Sequence, residues 1–259
     1  MFPSKSQIGH LICSPAIGAG IRALRPQISR GGILLDLNTN AVPARAVAAL
    51  RFGMIERAER RVLKSVLTRD LPVIELGAGY GSVTLAIANH VDQSCPMLII
   101  EANPALSTWW QENLQKSGRT NVRFMDVAII CPGDVPVNVG PPHAMVSFVV
   151  EPGLLGSRVG NNLSGLPTAK VKALSMREVY VESGFDKFSL VCDIEGAEFS
   201  LLKESAREFL SACDSIVMEI HPGPGRKTEN LIELFAQHGL RHVKTRHTVL
   251  GFTRRARIL

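Results

Sequence analysis

With 259 residues, 46% of them apolar and 20% charged, the chain has the size and composition of an ordered α/β domain with a sizeable core, which excludes intrinsic disorder. It has no run of about 18 apolar residues and no charged, apolar and cleavable leader, so neither a membrane span nor secretion is expected. The net charge of +6 is uneven: residues 1–72 hold eleven Lys/Arg against four Asp/Glu, residues 239–259 hold six against none, and the stretch between holds twelve against nineteen.

Basic ends on an acidic body suit an anionic partner such as nucleic acid or a membrane surface. Ordinary solvated faces are the simpler reading, because no aromatic side chains interleave with the arginines as a single-strand groove would want. Cys13, Cys95, Cys131, Cys192 and Cys213 are odd in number and lack any Cys-x-x-Cys pair, which argues against a disulfide framework or zinc ribbon and points to the reducing cytoplasm.

In chain order, residues 1–45 carry Pro3, Pro15, Pro26 and Pro43 without any period and read as an irregular N-terminal extension. Residues 44–67 are amphipathic at three- and four-residue spacings, a helix interrupted only by Gly53. Strands and helices then alternate: strand 73–76, helix 81–90, strand 96–100, helix 104–117 and strand 122–129. Residues 131–167 break this rhythm as an insertion on the substrate side, with one apolar run (145–150) read as an edge strand or hairpin arm. Strand 188–192, helix 199–212, strand 215–220 and helix 228–238 follow, and 241–258 reads as two antiparallel strands.

Short apolar strands joined by helices require a parallel sheet covered on both faces. Residues 46–259 are thus expected to form one α/β domain, a mostly parallel seven-stranded sheet with an antiparallel C-terminal hairpin and helices on both faces, which is the arrangement of the Rossmann-like class I methyltransferases. Trp109 and Trp110 are expected to pack one on the sheet and one over a neighbouring loop.

Five constellations carry chemistry. In Glu75-Leu-Gly77-Ala78-Gly79-Tyr80-Gly81 the glycines recur at i, i+2 and i+4 where a strand turns into a helix. A dinucleotide fingerprint would need its third glycine at i+5, where Ser82 stands, and a P-loop would need Gly-Lys-Ser/Thr. The spacing favours S-adenosyl-L-methionine over NAD or ATP. Glu101 closes the second strand, placed to accept both ribose hydroxyls of an adenosine, with Ala102 and Asn103 following. Asp126 and the Val127 backbone, late in the third strand, are candidates for the adenine amino group. Asp193-Ile-Glu195-Gly196-Ala-Glu198 crowds three carboxylates at a strand's C-terminal end, a costly arrangement unless solvated, paired or used. Glu219 and His221 close the neighbouring strand.

Taken together, VIELGAGYG, IEANP with downstream Asn113, NVRFMDVAI, and LVCDIEGAEFSLL followed by IVMEIHP resemble the FkbM-type methyltransferases. The match runs from about Glu56 to the C-terminus, and FGMIERAE is similar to the stretch before the first strand in that family. The chain departs from it in Glu75 where Asp is frequent, in Tyr80 after Gly79, and in Glu101-Ala102-Asn103-Pro104. The resemblance implies methyl transfer to a hydroxyl of a saccharide, glycolipid or lipo-oligosaccharide head, or related small molecule. Asp193 or His221 is then expected to accept the proton, with Glu219 orienting His221, and Mg²⁺ held by Asp193 and nearby carboxylates is a second arrangement. An RNA or amino-group methyltransferase using the basic termini, and a non-catalytic binding protein of the same fold, are the alternatives.

Overall fold

A computed structural model describes residues 12–130, 138–140, 143–150, 158–159, 166–202, 206–221, 223 and 227–255. Residues 12–45 are more ordered than their prolines suggest. Helix α1 (Pro15–Leu24) starts with Ser14 as N-cap and Pro15 in the first turn, where a missing N–H costs nothing. Strands β1 (Gln27–Arg30) and β2 (Ile33–Asp36) pair antiparallel around Gly31 and Gly32, both at positive φ as a tight two-residue hairpin demands. Prolines here punctuate elements rather than prevent them.

The expected helix over 44–67 is two, α2 (Ala44–Arg51) and α3 (Arg57–Val66), because Gly53 and Glu56 both take left-handed backbone (φ 60° and 50°). Strand β3 (Val73–Leu76) follows, then α4 (Ser82–His90), β4 (Met97–Ile100), α5 (Pro104–Lys116) and β5 (Val122–Met125). The third strand, expected to run through 129, ends at Met125. After Asp126 and Val127 the chain enters β6 (Ala128–Ile129) in a second sheet.

That second sheet holds β7 (Asn138–Gly140), β8 (His143–Val149), β9 (Arg158–Val159) and β10 (Thr168–Leu174). Its order is β6-β10-β8-β7, with β9 pairing β8. The run at 145–150 is therefore part of an interior strand of a small sheet; residues 131–137, 141–142, 151–157 and 160–165 of the insertion lie outside the described residues. Helix α6 (Met176–Ser183), closed by a Ser175/Glu178 capping box, leads to β11 (Phe188–Cys192). The helix expected over 199–212 is a 3₁₀ turn (Ala197–Leu202) and a short α7 (Arg207–Ala212). Strand β12 (Cys213–Glu219), α8 (Thr228–Gln237), β13 (Arg241–Arg246) and β14 (Val249–Thr253) complete the chain.

The main sheet runs β13-β14-β12-β11-β3-β4-β5, all parallel except β14. Alternation along each buried strand divides the core in two. Val73, Met97, Ile99, Val191 and Val217 face α3, α4, α5 and the β1–β2 hairpin. Ile74, Leu76, Leu98, Leu190 and Ile216 face the layer containing α6, α7 and α8. Helix α3 lies on β14 where Gly251 leaves room for Val62 and Val66. No helix among the described residues is long and apolar enough to cross a membrane.

Candidate active site

At the C-terminal edge of the parallel strands, the glycine loop, the Glu101 turn and the Asp193 turn enclose a cleft of about 740 Å³. Ile129, Phe148 and Val159 of the second sheet help wall it.

The loop is held by both neighbouring strands. Gly77 and Ala78 donate to the Ile100 carbonyl, and Asp193 donates to the Leu76 carbonyl at 2.9 Å. Gly77, at φ +83°, passes so close to β11 that a Cβ would sit 1.8 Å from the Asp193 carbonyl oxygen. At Gly81 a Cβ would meet Leu35 and Trp110. These two glycines are required by neighbouring chain, whereas Gly79 meets the cleft. Trp110 donates its indole N–H to the Gly79 carbonyl at 3.1 Å and stacks on Phe124, and Trp109 donates to the Asp36 carbonyl. Both rings are buried and one holds the loop directly, a positioning role not evident in the sequence.

Glu101 clamps the same loop. Its two oxygens accept from Gly79 N–H and Asn103 N–H, each at 2.7 Å, and Asn103 in turn caps α5. Burial raises the Glu101 pKa against the lowering effect of those N–H groups. Gly77, Gly79, Tyr80, Glu101, Ala102, Asn103 and Val127 all line the cleft.

Four expected cofactor residues stand elsewhere. Ala78 is buried under the loop and Gly81 packs on Trp110. Glu75 shares the Val73 side of β3, so strand alternation buries it behind the loop instead of aiming it into the cleft. Burial pushes its carboxyl up to about 8 against the lowering effect of the Thr84 hydroxyl. Asp126 is exposed beside Val127 and accepts from the Ser107 hydroxyl at 3.1 Å.

The carboxylate turn explains its own spacing. Glu195 (φ 51°) and Gly196 (φ 98°) curl the chain around the buried Glu198 carboxylate, whose Oε1 accepts from Ile194 N–H and Gly196 N–H. The same oxygen accepts from His221 Nδ1 at 2.9 Å. The other ring nitrogen lies 3.5 Å from Glu195 Oε2 and 3.9 Å from Asp193 Oδ1. The hydrogen bond to Glu198 raises His221 to about 9 despite burial, so the imidazole is protonated at neutral pH.

Glu219, expected to orient His221, is instead held by Thr248 at 2.7 Å and by a proton shared with Glu59. Burial, then the bond to Glu219, lifts Glu59 to about 7. The residue that orients the imidazole is Glu198, six positions after the end of β11 and distinguishable in sequence only as one of three nearby acids. Asp193 and Glu195 line the cleft while His221 and Glu219 back them. Burial and then the charge of Glu219 raise Asp193 well above the ordinary carboxylate range. Glu56, unassigned from sequence beyond its family-like context, joins the cleft wall; burial and then Asp193 raise its pKa well above normal.

Replacing Glu198 with Gln is expected to drop the His221 pKa from about 9 towards its ordinary value. The raised pKa adds stability that is complete below about 6.5 and lost as pH rises through about 9. The variant should therefore melt with a flatter pH dependence over that window. Histidine titration by NMR in chelator-treated protein checks it; an unmoved pKa would remove Glu198 as its cause.

The strand order is now decisive. The fold is that of the Rossmann-like, class I methyltransferases. No family model matches the chain, and no curated protein does. Among solved structures it is similar to precorrin-6y C5,15-methyltransferase from Geobacter metallireducens, at 16% identity and TM-score 0.39 over 75% of this chain and 86% of that one. It is also similar to Aeropyrum pernix fibrillarin in complex with natively bound S-adenosyl-L-methionine, at 12% identity and TM-score 0.42 over 75% and 73%. A SAM-dependent methyltransferase from Aquifex aeolicus gives 12% identity and TM-score 0.39 over 78% and 90%.

Proposed function

We propose that this chain is an S-adenosyl-L-methionine-dependent O-methyltransferase of the FkbM type, methylating a hydroxyl of a saccharide, glycolipid head or related small acceptor in the cytoplasm. The carrying observation is that one cleft is lined by the glycine loop, by Glu101 and by Asp193. Residues 46–259 are the catalytic domain, with 131–167 on the acceptor side.

The site's donors fit the cofactor: the cleft exposes glycine backbone at Gly77 and Gly79, carboxylate oxygens of Glu101 suited to ribose hydroxyls, and an apolar wall at Ile100, Leu106 and Val127 for an adenine ring. When bound, the cofactor supplies a methyl group already activated on a positively charged sulfonium. The protein then has to align the acceptor and remove its proton. Asp193 is the group on the cleft wall that can take that proton. His221, protonated and tied to Glu198, holds the Asp193 and Glu195 side chains in register. Asp126 stands near enough to Val127 to serve the adenine amino group.

A second arrangement uses Mg²⁺. Asp193, Glu219 and His221 each offer a ligand atom, all within 4.8 Å of one another, and Asp193 Oδ1 is buried without a hydrogen-bond partner among the described residues. These oxygens suit a hard cation, which would acidify a bound hydroxyl.

Incubation with labelled S-adenosyl-L-methionine and fractionated glycolipid, polysaccharide, RNA and small metabolites tests the reading. Label is expected in base-resistant linkage on a saccharide-containing fraction, and chelator sensitivity would select the metal arrangement. The absence of cofactor binding by calorimetry at millimolar concentration would leave only a non-catalytic protein of this fold.

A further inference from the structure

Beside the α2–α3 break lies a second groove, lined by residues of β1, α2, α3 and α4. Its lining carries Arg30 from β1, Arg51 from the end of α2, and Arg57, Arg60, Arg61 and Lys64 from α3, with no Asp or Glu. Positions 57, 60, 61 and 64 follow i, i+3, i+4, i+7, one stripe of a helix whose other side buries Glu59, Val62, Leu63 and Val66. Four cations in one stripe repel one another, by roughly 0.2–0.5 kcal/mol per neighbouring pair. Nothing acidic in the groove relieves them.

Three of these side chains are set by backbone carbonyls: Arg30 on Ser29, Arg51 on Gln27, and Arg60 on Glu56 and Gly53. Arg57, Arg61 and Lys64 form no hydrogen bond or ion pair among the described residues. Phe52 stands in the same lining and is 53% exposed. An aromatic side chain therefore does interleave with the arginines, contrary to the expectation from sequence.

We infer that this groove is a binding site for single-stranded nucleic acid, with the guanidinium groups on successive phosphates and Phe52 offering a stacking face for a base. Guanidinium forks match phosphate oxygens two at a time. A basic groove with an aromatic platform is the combination that holds single strands without reading sequence. Six cations contributed by β1, α2 and α3 are more than a single phosphate can engage, which favours an extended chain over a lone phosphate. The groove's concavity disfavours a planar bilayer. Groove and cleft adjoin, since Glu56 lines one and Arg57 the other. The inference stands apart from the methyl-transfer reading, because it requires neither cofactor nor turnover.

The test is fluorescence anisotropy of the full chain with a labelled oligouridylate longer than one site of about 4–16 nucleotides. Six phosphate contacts predict a slope of log K against log salt of about −4. Binding should weaken roughly 300-fold between 50 and 200 mM salt. Arg57→Ala/Arg61→Ala/Lys64→Ala should reduce the slope by about 2 and weaken low-salt binding at least tenfold, with a cooperative thermal melt like the parent's as evidence of an intact fold. If the triple variant does not fold, Arg61→Glu alone on its exposed side chain should also weaken binding. Undetectable binding at low salt overturns the inference, as does a triple variant that binds like the parent. Loss of binding in Arg241→Ala/Arg246→Ala instead, or capture by phosphatidylglycerol vesicles without oligonucleotide binding, overturns it equally.

Discussion

Gly77→Ala is expected to abolish S-adenosyl-L-methionine binding and to cost about 3 kcal/mol of stability, summing the left-handed backbone of an alanine and an overpacked contact. The clash is with backbone: the new Cβ would lie 1.8 Å from the Asp193 carbonyl oxygen and 2.8 Å from its carbon. Neither strand end can retreat cheaply, because Gly77 donates to Ile100 and Asp193 donates to Leu76. Relief would have to come from moving the loop away from β11, which displaces Gly79 from Glu101 and opens the cofactor side of the cleft. Gly118→Ala, where a Cβ would meet nothing within 4 Å, is the control. Thermal melts and cofactor calorimetry read both effects; a Gly77→Ala protein with unchanged melting and unchanged affinity would show that this close approach is unimportant.

Asp193→Asn is expected to lower turnover about 10²- to 10⁴-fold, the usual worth of a positioned proton acceptor, while cofactor affinity stays within a few-fold. The amide keeps the shape of the carboxyl but cannot accept the hydroxyl's proton. Stability should hold or rise, because the wild-type carboxylate is buried and repelled by Glu219, Glu195 and Glu198. A gain in melting temperature with a loss of rate is the signature of a group kept for chemistry at a cost to the fold. Turnover that persists undiminished would transfer the proton-accepting role elsewhere, with Glu195 the next carboxylate on the cleft wall. Comparison with Glu198→Gln separates the two functions: Asp193 should dominate the rate, and Glu198 the pH at which His221 titrates.

Much of this protein is local in origin. The apolar runs of β3, β4, β11 and β12 were legible because a strand buried on both faces has few residue choices. The glycine spacing after β3 and the acid after β4 were legible because tight turns and strand ends impose residue types at fixed offsets. The elements that escaped detection are those whose formation depends on partners distant in sequence. The β1–β2 hairpin acquires its place from Leu34 and Asp36 bonding to Ser117 and Asn113 on α5. β10, which no apolar run marks, takes its place by pairing with β8 across residues 150–167.

The same division runs through the site. The sequence by itself determined an alternating α/β chain, a glycine loop, and acids at four strand ends, since each follows from steric or dielectric demands felt within a few residues. Only the tertiary structure decided which acids face the cleft: strand alternation turns Glu75 into the core, while Glu56 arrives from a helix break some twenty residues earlier. Only it could give His221 its partner, because Glu198 on the β11 side and His221 after β12 meet through parallel pairing of those strands. The basic stripe of α3 likewise became a groove only when β1 and α2 brought Arg30, Arg51 and Phe52 beside it. Charge and spacing are written residue by residue, but burial, and with it every pKa in the cleft, exists only once the strands are packed.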